Sequence, residues 1–576
     1  MKKLLKYLNN SKKEVILGPL FKLLEAIFEL IVPLVVASII DKGINGDGGV
    51  NHIILMICIM IILGLVGLVC SITAQYFSAK AATTFSKEVR QNLFEKMQSL
   101  SYSEIDKMGT SSMITQITSD VNQVQNGVNL FLRLFLRSPF VVFGALIMAM
   151  ILNIKAGLVF LAIIPILLII VFSILLITKK KFKNVQENLD DVVKQTRENL
   201  QGARVIRAFH NEEDEFIDYS NNLNSLANKQ KRVSILSTLL NPLTYVIINI
   251  GIILVVYIGA KEVEGGILLQ GDVLALYNYM GQILVELIKF ANLIITLSKA
   301  LASASRISKT FELESSLKFS EYKEEDGLQS DAFIEFKNVS FKYNNASGYA
   351  IENVSFKVNK GDTIGIIGGT GSGKTSLVNL IPHFYDPTEG EIYYKGRNVN
   401  SYDLPNLRES IGVVPQKAIL FKGTIATNLK WRNKDASDSE MYDALETAQA
   451  LDIIRSKNDG LNSVVEQNGQ NFSGGQKQRL SIARALINSP EVLILDDSAS
   501  ALDYLTDSKL RKAISNMKNA PTTFIVSQRT SSIANADKII VLDNGKVVGI
   551  GKHDELLKSS PVYLEIYNSQ FKKGDE

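Results

Sequence analysis

Residues 368–375 read Gly-Gly-Thr-Gly-Ser-Gly-Lys-Thr, and each residue type there has a use in holding phosphate. Glycines let successive backbone N–H groups curl round anionic oxygens, and a helix that follows adds its positive end. Lys374 can reach terminal phosphates, and the Thr375 hydroxyl can ligate Mg²⁺. A second feature is Asp496-Asp497, which ends the apolar run Val492–Leu495. A carboxylate at the tip of a buried strand, beside a phosphate loop, can hold the metal or its water. Taken alone, it reads equally well as a turn cap. A third is Ser473-Gly474-Gly475-Gln476, ahead of the helical stretch Leu480–Ile487. It offers either another anion-binding helix N-terminus or a plain N-cap.

A phosphate loop needs a strand before it and a helix after it. Thr363–Ile367 is a short β-branched run, and Ser376–Ile381 is apolar at helical spacing, so both are in place. This second half of the chain has the balance of a soluble domain. The first half does not: Ile54–Ala74, Ala156–Thr178 and Val233–Ala260 carry no charge, and Ser138–Ile154 is a shorter run of the same kind. A bilayer core needs about 20 apolar residues as a helix. Val15–Ile40, interrupted by Lys22, Glu25 and Glu29, and Val273–Leu297, interrupted by Glu286 and Lys289, complete a set of six spans.

The 576 residues are 46% hydrophobic and 21% charged, and Lys+Arg 62 against Asp+Glu 58 leaves a net charge of +4. That balance requires no nucleic-acid partner. The 2 cysteines, Cys58 and Cys70, would lie about 18 Å apart along one helix, too far to pair. A disulfide-stapled domain and a cysteine zinc site are both excluded. Lys2, Lys3, Lys6, Lys12 and Lys13 precede the first span and place the N-terminus in the cytoplasm, with no cleavable signal. The loops at 41–51, 153–155 and 261–272 then lie outside, and the long connections at 75–126 and 179–232 lie inside as helical extensions of the spans. An even number of spans returns the chain to the cytoplasm. The domains expected are a membrane domain over 1–314, a polar linker over 315–332, and a soluble domain over 333–576.

The order of the loop, Ser-Gly-Gly-Gln and the strand-end Asp resembles the ATP-binding cassette ATPases. With six spans ahead on one chain, the whole sequence resembles an exporter-type half-transporter. The fold this implies is an all-α six-span membrane domain followed by an α/β P-loop ATPase domain with a helical subdomain. The ATP contacts implied are Tyr343 on adenine, then Gly368, Gly369, Thr370, Gly371, Ser372, Gly373, Lys374, Thr375, Ser376, Gln416 and Asp496. Thr375, Gln416 and Asp496 would hold Mg²⁺, Asp496 through water. Ser473, Gly474, Gly475 and Gln476 would face ATP on a partner chain, and Asp503 would lie in the loop that crosses the dimer. The same resemblance puts coupling helices near Tyr102–Thr110 and Asn211–Ile217.

Two positions break the family pattern. Asp497 stands where the hydrolysing enzymes have Glu, and Gln528 where they have His. The shorter carboxylate is withdrawn by a methylene, and misplacement of about 1 Å can cost on the order of 10²-fold. An amide can donate a hydrogen bond but takes up no proton. Both changes beside an intact loop and signature resemble the degenerate-site subunit of a heterodimeric multidrug exporter. The expectation is a cell-membrane, bacterial-type ATP-hydrolysing translocase that moves lipophilic or drug-like compounds outward. Its partners would be a non-identical half-transporter, membrane lipid and the lipophilic cargo, with no nucleic acid. An ATP-binding regulator and a homodimeric exporter of peptides or lipids are the alternatives.

Charges within spans face protein or water. Lys22 with Glu25, and Glu286 with Lys289, are spaced to pair internally. Glu25, Glu29 and Glu286 are also candidates for lining a cargo cavity, above all Glu29, which has no obvious local partner.

Overall fold

The computed structural model describes residues 2–319, 329–344 and 346–571, so the middle half of the expected linker, 320–328, lies outside the described residues. The chain forms two compact units, Met1–Gln98 with Ser111–Glu312, and Ser99–Thr110 with Leu313–Glu576.

The first unit is all helix. Among the described residues, 6 helices are long and apolar enough to cross a membrane: Lys6–Ile44, Gly49–Gln98, Thr110–Leu152, Ile154–Gln201, Glu212–Glu264 and Gln270–Glu312. Each apolar run of the sequence falls on one of them, except that Ser138–Ile154 overruns Leu152, and the helices extend much further than the runs. The third stops at Leu152, because Asn153 leaves the helical region (φ −158°, ψ 124°) and its side chain accepts from the Ala156 N–H. Ile154 therefore opens the fourth span and does not close the third. Asn211–Ile217 is likewise not a separate helix. A short helix, Ala203–Ala208, precedes a turn with His210 at φ 53°, and Glu212 already begins the fifth long helix.

Charges inside the spans are satisfied by one another. Lys22 pairs with Glu25 at 2.5 Å and Lys289 with Glu286 at 2.8 Å. Glu29, expected to lack a partner, meets Arg137 Nη2 at 2.5 Å. The same guanidinium reaches Glu286 at 2.6 Å, and Ser138 Oγ donates to that carboxylate at 2.8 Å. Glu286 is only 2% exposed, so it is a structural ion and not a cavity-lining group. Glu25 and Glu29 do border a groove of about 530 Å³ with Phe28, Met60, Gly64 and Arg137. Each of them nevertheless carries a cation already. Arg137 sits at the N-terminal edge of an apolar run, where a span-by-span count of charges passes over it.

In the second unit, helix α1 is Tyr102–Met108. The strands of the two main sheets are β1 (Ile334–Phe341), β2 (Ile351–Val358), β3 (Thr363–Gly368), β4 (Glu389–Tyr394), β5 (Arg397–Asn398), β6 (Ile411–Val414), β7 (Val492–Asp496), β8 (Thr522–Val526), β9 (Lys538–Asp543) and β10 (Lys546–Gly551). An antiparallel sheet runs β2–β1–β4–β5, and a six-stranded sheet runs β10–β9–β3–β8–β7–β6. Within the larger sheet, β9, β3, β8, β7 and β6 are parallel and only β10 is reversed. Buried runs such as Ile364–Ile367 and Val492–Leu495 suit strands covered on both faces. Helices α2 (Lys374–Leu380), α3 (Asp438–Thr447), α4 (Gly474–Leu486) and α5 (Tyr504–Ser515) complete the parts used below. Leu445 of α3 and Leu480 of α4 belong to one core with Leu493 and Leu495 of β7, which ties the helical segment to the sheet.

Candidate functional site

In a parallel sheet, ligands bind beyond the carboxyl ends of the strands. Here those ends bring three sequence-distant groups to one edge. β3 finishes at Gly368, β8 beside it at Val526, and β7 beside that at Asp496, with Val526 paired to both Ile366 and Asp496.

The loop between β3 and α2 is shaped by glycine where nothing else fits. A Cβ on Gly368 would stand 2.1 Å from the Leu542 carbonyl oxygen. Gly373 has φ 96°, and a Cβ there would meet the Ala350 carbonyl at 2.3 Å. Gly369 and Gly371, by contrast, look onto open space, and Gly369, Thr370 and Gly371 are exposed while Ser372 is buried. This is a cradle whose inner wall is backbone. Lys374 Nζ folds over it and donates to the carbonyls of Gly368 at 2.9 Å and Gly369 at 2.6 Å. Burial pushes its ammonium below the ordinary lysine value, with Asp497 and Asp496 opposing.

Oxygen donors suited to a hard divalent cation lie beside the loop. Thr375 Oγ1 donates to Asp496 Oδ1 at 3.0 Å, and burial raises the Asp496 carboxyl above its usual range. A hydroxyl, a buried carboxylate and the Gln416 amide fit Mg²⁺, which when bound neutralises charge on the terminal phosphates. Tyr343 packs edge-on against Phe341 with ring centres 4.7 Å apart, and its hydroxyl lies 3.0 Å from Ser376 Oγ. The sequence places these groups far apart, and the fold gathers them within one unit.

The two departing residues occupy the strand ends next to this cradle. Asp497 follows β7 with φ 46°, a left-handed conformation that Asp tolerates better than most residues. Its N–H donates to the Val526 carbonyl at 3.0 Å, and its Oδ2 accepts from Gln416 Nε2 at 3.2 Å. Gln528 follows β8 two residues after Val526 and is exposed, and its backbone carbonyl accepts from Gln570 at 2.7 Å.

Ser473 is the N-cap of α4. Its hydroxyl accepts from the Gln476 N–H at 3.3 Å, while Gln476 Oε1 accepts from the Ser473 N–H at 3.0 Å. Within the chain this is a capping box. Gly474 is exposed with open space around it, and Gly475 sits 2.9 Å from the Ala501 carbonyl by the same Cβ measure. Asp503 caps α5, accepting from the Thr506 N–H at 2.9 Å and from its hydroxyl at 2.7 Å. The Thr506 N–H holds its carboxyl below the usual range.

Residues 15–287 match the family model of the ABC transporter transmembrane region, and residues 351–500 match that of the ABC transporter. A Bacillus subtilis protein described as an uncharacterized ABC transporter ATP-binding protein, YfiB, is 37% identical over 100% of both chains. The chain belongs to the ABC transporter family. A second Bacillus subtilis relative, YfiC, is 30% identical over 100% of this chain and 94% of its own. The ATP-dependent lipid A-core flippase of Haemophilus influenzae is 29% identical over 94% of each. A solved bacterial Atm1-family ABC exporter with ATP bound superposes with a TM-score of 0.80, covering 98% of this chain and 99% of that one at 21% identity, which shows the shared fold. This transporter is thus a multi-pass membrane protein with an ABC transmembrane region and a cytoplasmic ABC ATPase domain fused on one chain, in the fold of that solved structure.

Proposed function

We propose that the transporter is the degenerate-site subunit of a heterodimeric exporter. Its own cradle, with Tyr343, Gly368–Ser376, Gln416 and Asp496, binds Mg–ATP and turns it over slowly. Ser473, Gly474, Gly475 and Gln476 complete a second site on a partner that supplies Glu and His, and Asp503 lies at the crossing between the two. The observation that carries this reading is the pair of strand ends at Asp496-Asp497 and Gln528, beside an intact loop. Asp497 Oδ2 is engaged by Gln416, and an amide at position 528 accepts no proton. General-base help of the ordinary kind contributes about 10²–10⁴-fold. Its absence here, with every phosphate contact kept, separates binding from hydrolysis.

That two full-length relatives at 37% and 30% identity occur in one bacterium supports the availability of non-identical halves of this type. ATPase activity of this chain purified alone tests the reading. Turnover should be at least about 10²-fold below that of the assembled complex. Robust turnover by the chain alone would make it a homodimeric exporter.

For cargo, the proposal is lipophilic or drug-like compounds moved out of the cytoplasm. The Haemophilus influenzae relative named as a lipid A-core flippase favours a second reading, an amphipathic lipid. Transport of a fluorescent lipid against a fluorescent drug in proteoliposomes decides between them.

A further inference from the structure

Helix α1 and the base end of the nucleotide cradle share one aromatic seat, formed by residues 382–386 just after α2. Arg408 fixes that seat, donating to the Pro382 carbonyl at 3.1 Å and the His383 carbonyl at 2.7 Å, with its guanidinium 5.2 Å over the Phe384 ring. His383 is fully buried and meets Asp386 at 2.7 Å. Tyr102 of α1 stacks on Phe384 with centres 4.5 Å apart and 28° between planes. Tyr385, 9% exposed, donates its hydroxyl to Asp106 Oδ2 of α1 at 2.6 Å. On its other side the Tyr385 ring stands edge-on to Tyr343, 5.5 Å away at 82°. Asn344, the next residue, donates from Nδ2 to Ser103 Oγ of α1 at 2.6 Å.

The geometry points to Tyr385 as a positioning residue that passes the filling of the base seat at Tyr343 on to α1 through its hydroxyl bond to Asp106. The relay rests on the reading of Tyr343 as the residue that stacks on the base. An edge-to-face ring pair transmits a small rotation, because the Phe341, Tyr343 and Tyr385 rings pack directly on one another, with centres 4.7, 5.3 and 5.5 Å apart. The hydroxyl–carboxylate bond is charge-assisted and directional, so it converts ring position into a restraint on α1. Burial and Asp106 both push the Tyr385 phenol up, which keeps it a donor across the physiological range. Arg408 holds the seat still, so the parts free to respond are Tyr343 and Asn344. The phosphate loop acts at Lys374, and it meets the base seat where the Tyr343 hydroxyl lies 3.0 Å from Ser376 Oγ. The route through Tyr385 to α1 starts from the base and not from the phosphates.

Hydrogen–deuterium exchange over 99–110, in the full-length transporter in lipid nanodiscs in the assembly in which it is purified, reads the restraint. Mg–ATP should slow exchange there by roughly ten-fold, the worth of one bond to a charged group. Mg-tripolyphosphate, which fills the loop without a base, should leave it unchanged. Tyr385→Phe should retain ATP affinity and lose the slowing, and Asp106→Asn, on the exposed side of the bond, should do the same if the Phe variant folds poorly. Slowing by tripolyphosphate equal to that by ATP, or slowing retained in both variants, overturns the relay. Tyr343→Ala separates the two readings: it should weaken ATP binding by about ten-fold and leave tripolyphosphate binding intact. If ATP affinity is unmoved in that variant, the base-seat reading itself is wrong.

Discussion

Gln416 Nε2 donates to Asp497 Oδ2 across 3.2 Å, joining the second residue after β6 to the first residue after β7. In the proposed reading the same amide serves Mg²⁺ when nucleotide is bound, so Asp497 holds it near the cradle in the meantime. The carboxylate that would polarise water in a hydrolysing site is here occupied with positioning a neighbour.

Lys374→Ala should lower nucleotide affinity at this chain's site by about 10- to 100-fold, the loss of one or two charge-assisted bonds. Hydrolysis by the complex should fall less, because in the proposed reading it runs mainly at the other site. Equilibrium binding of a fluorescent ATP analogue alongside steady-state ATPase checks both halves of the expectation. Complete loss of ATPase with occupancy retained would contradict this division of labour.

Glycine substitutions separate the cradle from the signature. Gly368→Ala puts a methyl against the Leu542 carbonyl, 2.1 Å away, and overpacking of that kind costs about 1–3 kcal/mol. A lower unfolding temperature and lost nucleotide binding are both expected in the isolated chain. Gly474→Ala meets nothing within 4 Å. Its effect should appear only in the ATPase of the assembled complex, with the unfolding temperature unchanged.

How far residues disclose their roles differs between the two halves. The phosphate loop could be read because its chemistry is local: glycines, lysine and threonine lie in one run, and the strand and helix beside them carry their own periodicity. The apolar runs marked six spans for the same reason. What escaped was pairing between elements. Arg137 binds Glu286, far along the chain, and makes a structural ion of one of the cavity candidates. Helix ends were misjudged where a single residue decides, as Asn153 does, and where amphipathic extensions continue past the apolar core. Tyr385 and Asp106 carry no motif, and only the packing of α1 joins them.

Arg137→Ala should destabilise the membrane unit strongly. It leaves Glu286, 2% exposed, without its main counter-ion, and breaking a buried pair costs about 3–5 kcal/mol. Lys289→Ala removes a partner whose side chain is 41% exposed and should cost about 1 kcal/mol or less. Thermal unfolding in detergent, followed by tryptophan-independent light scattering, ranks the two. Equal losses would place the cluster's stability elsewhere.

The paired replacement Asp497→Glu with Gln528→His should raise ATPase of the chain's own site, since it restores a longer carboxylate and a group able to take a proton. A gain of about 10-fold or more over the unmodified chain is expected from general-base help of ordinary size. Single-turnover hydrolysis by the purified chain measures it directly. No gain would mean that the site is slow for a reason outside these two side chains.

The central claim is asymmetry between the two ATP sites, and one comparison tests it most directly. ATPase should be measured for the purified complex carrying Gly475→Asp or Asp497→Ala in this chain. A Cβ on Gly475 would stand 2.9 Å from the Ala501 carbonyl oxygen, and in the proposed reading this residue faces the partner's ATP, so an aspartate there should damage the competent site in trans. That variant should lose most hydrolysis, by about 10²-fold as for other displaced catalytic contacts. Asp497→Ala should keep most of it, because its site is already slow. If Asp497→Ala abolishes activity as completely as Gly475→Asp does, Asp497 is a working catalytic residue and the asymmetric account is wrong.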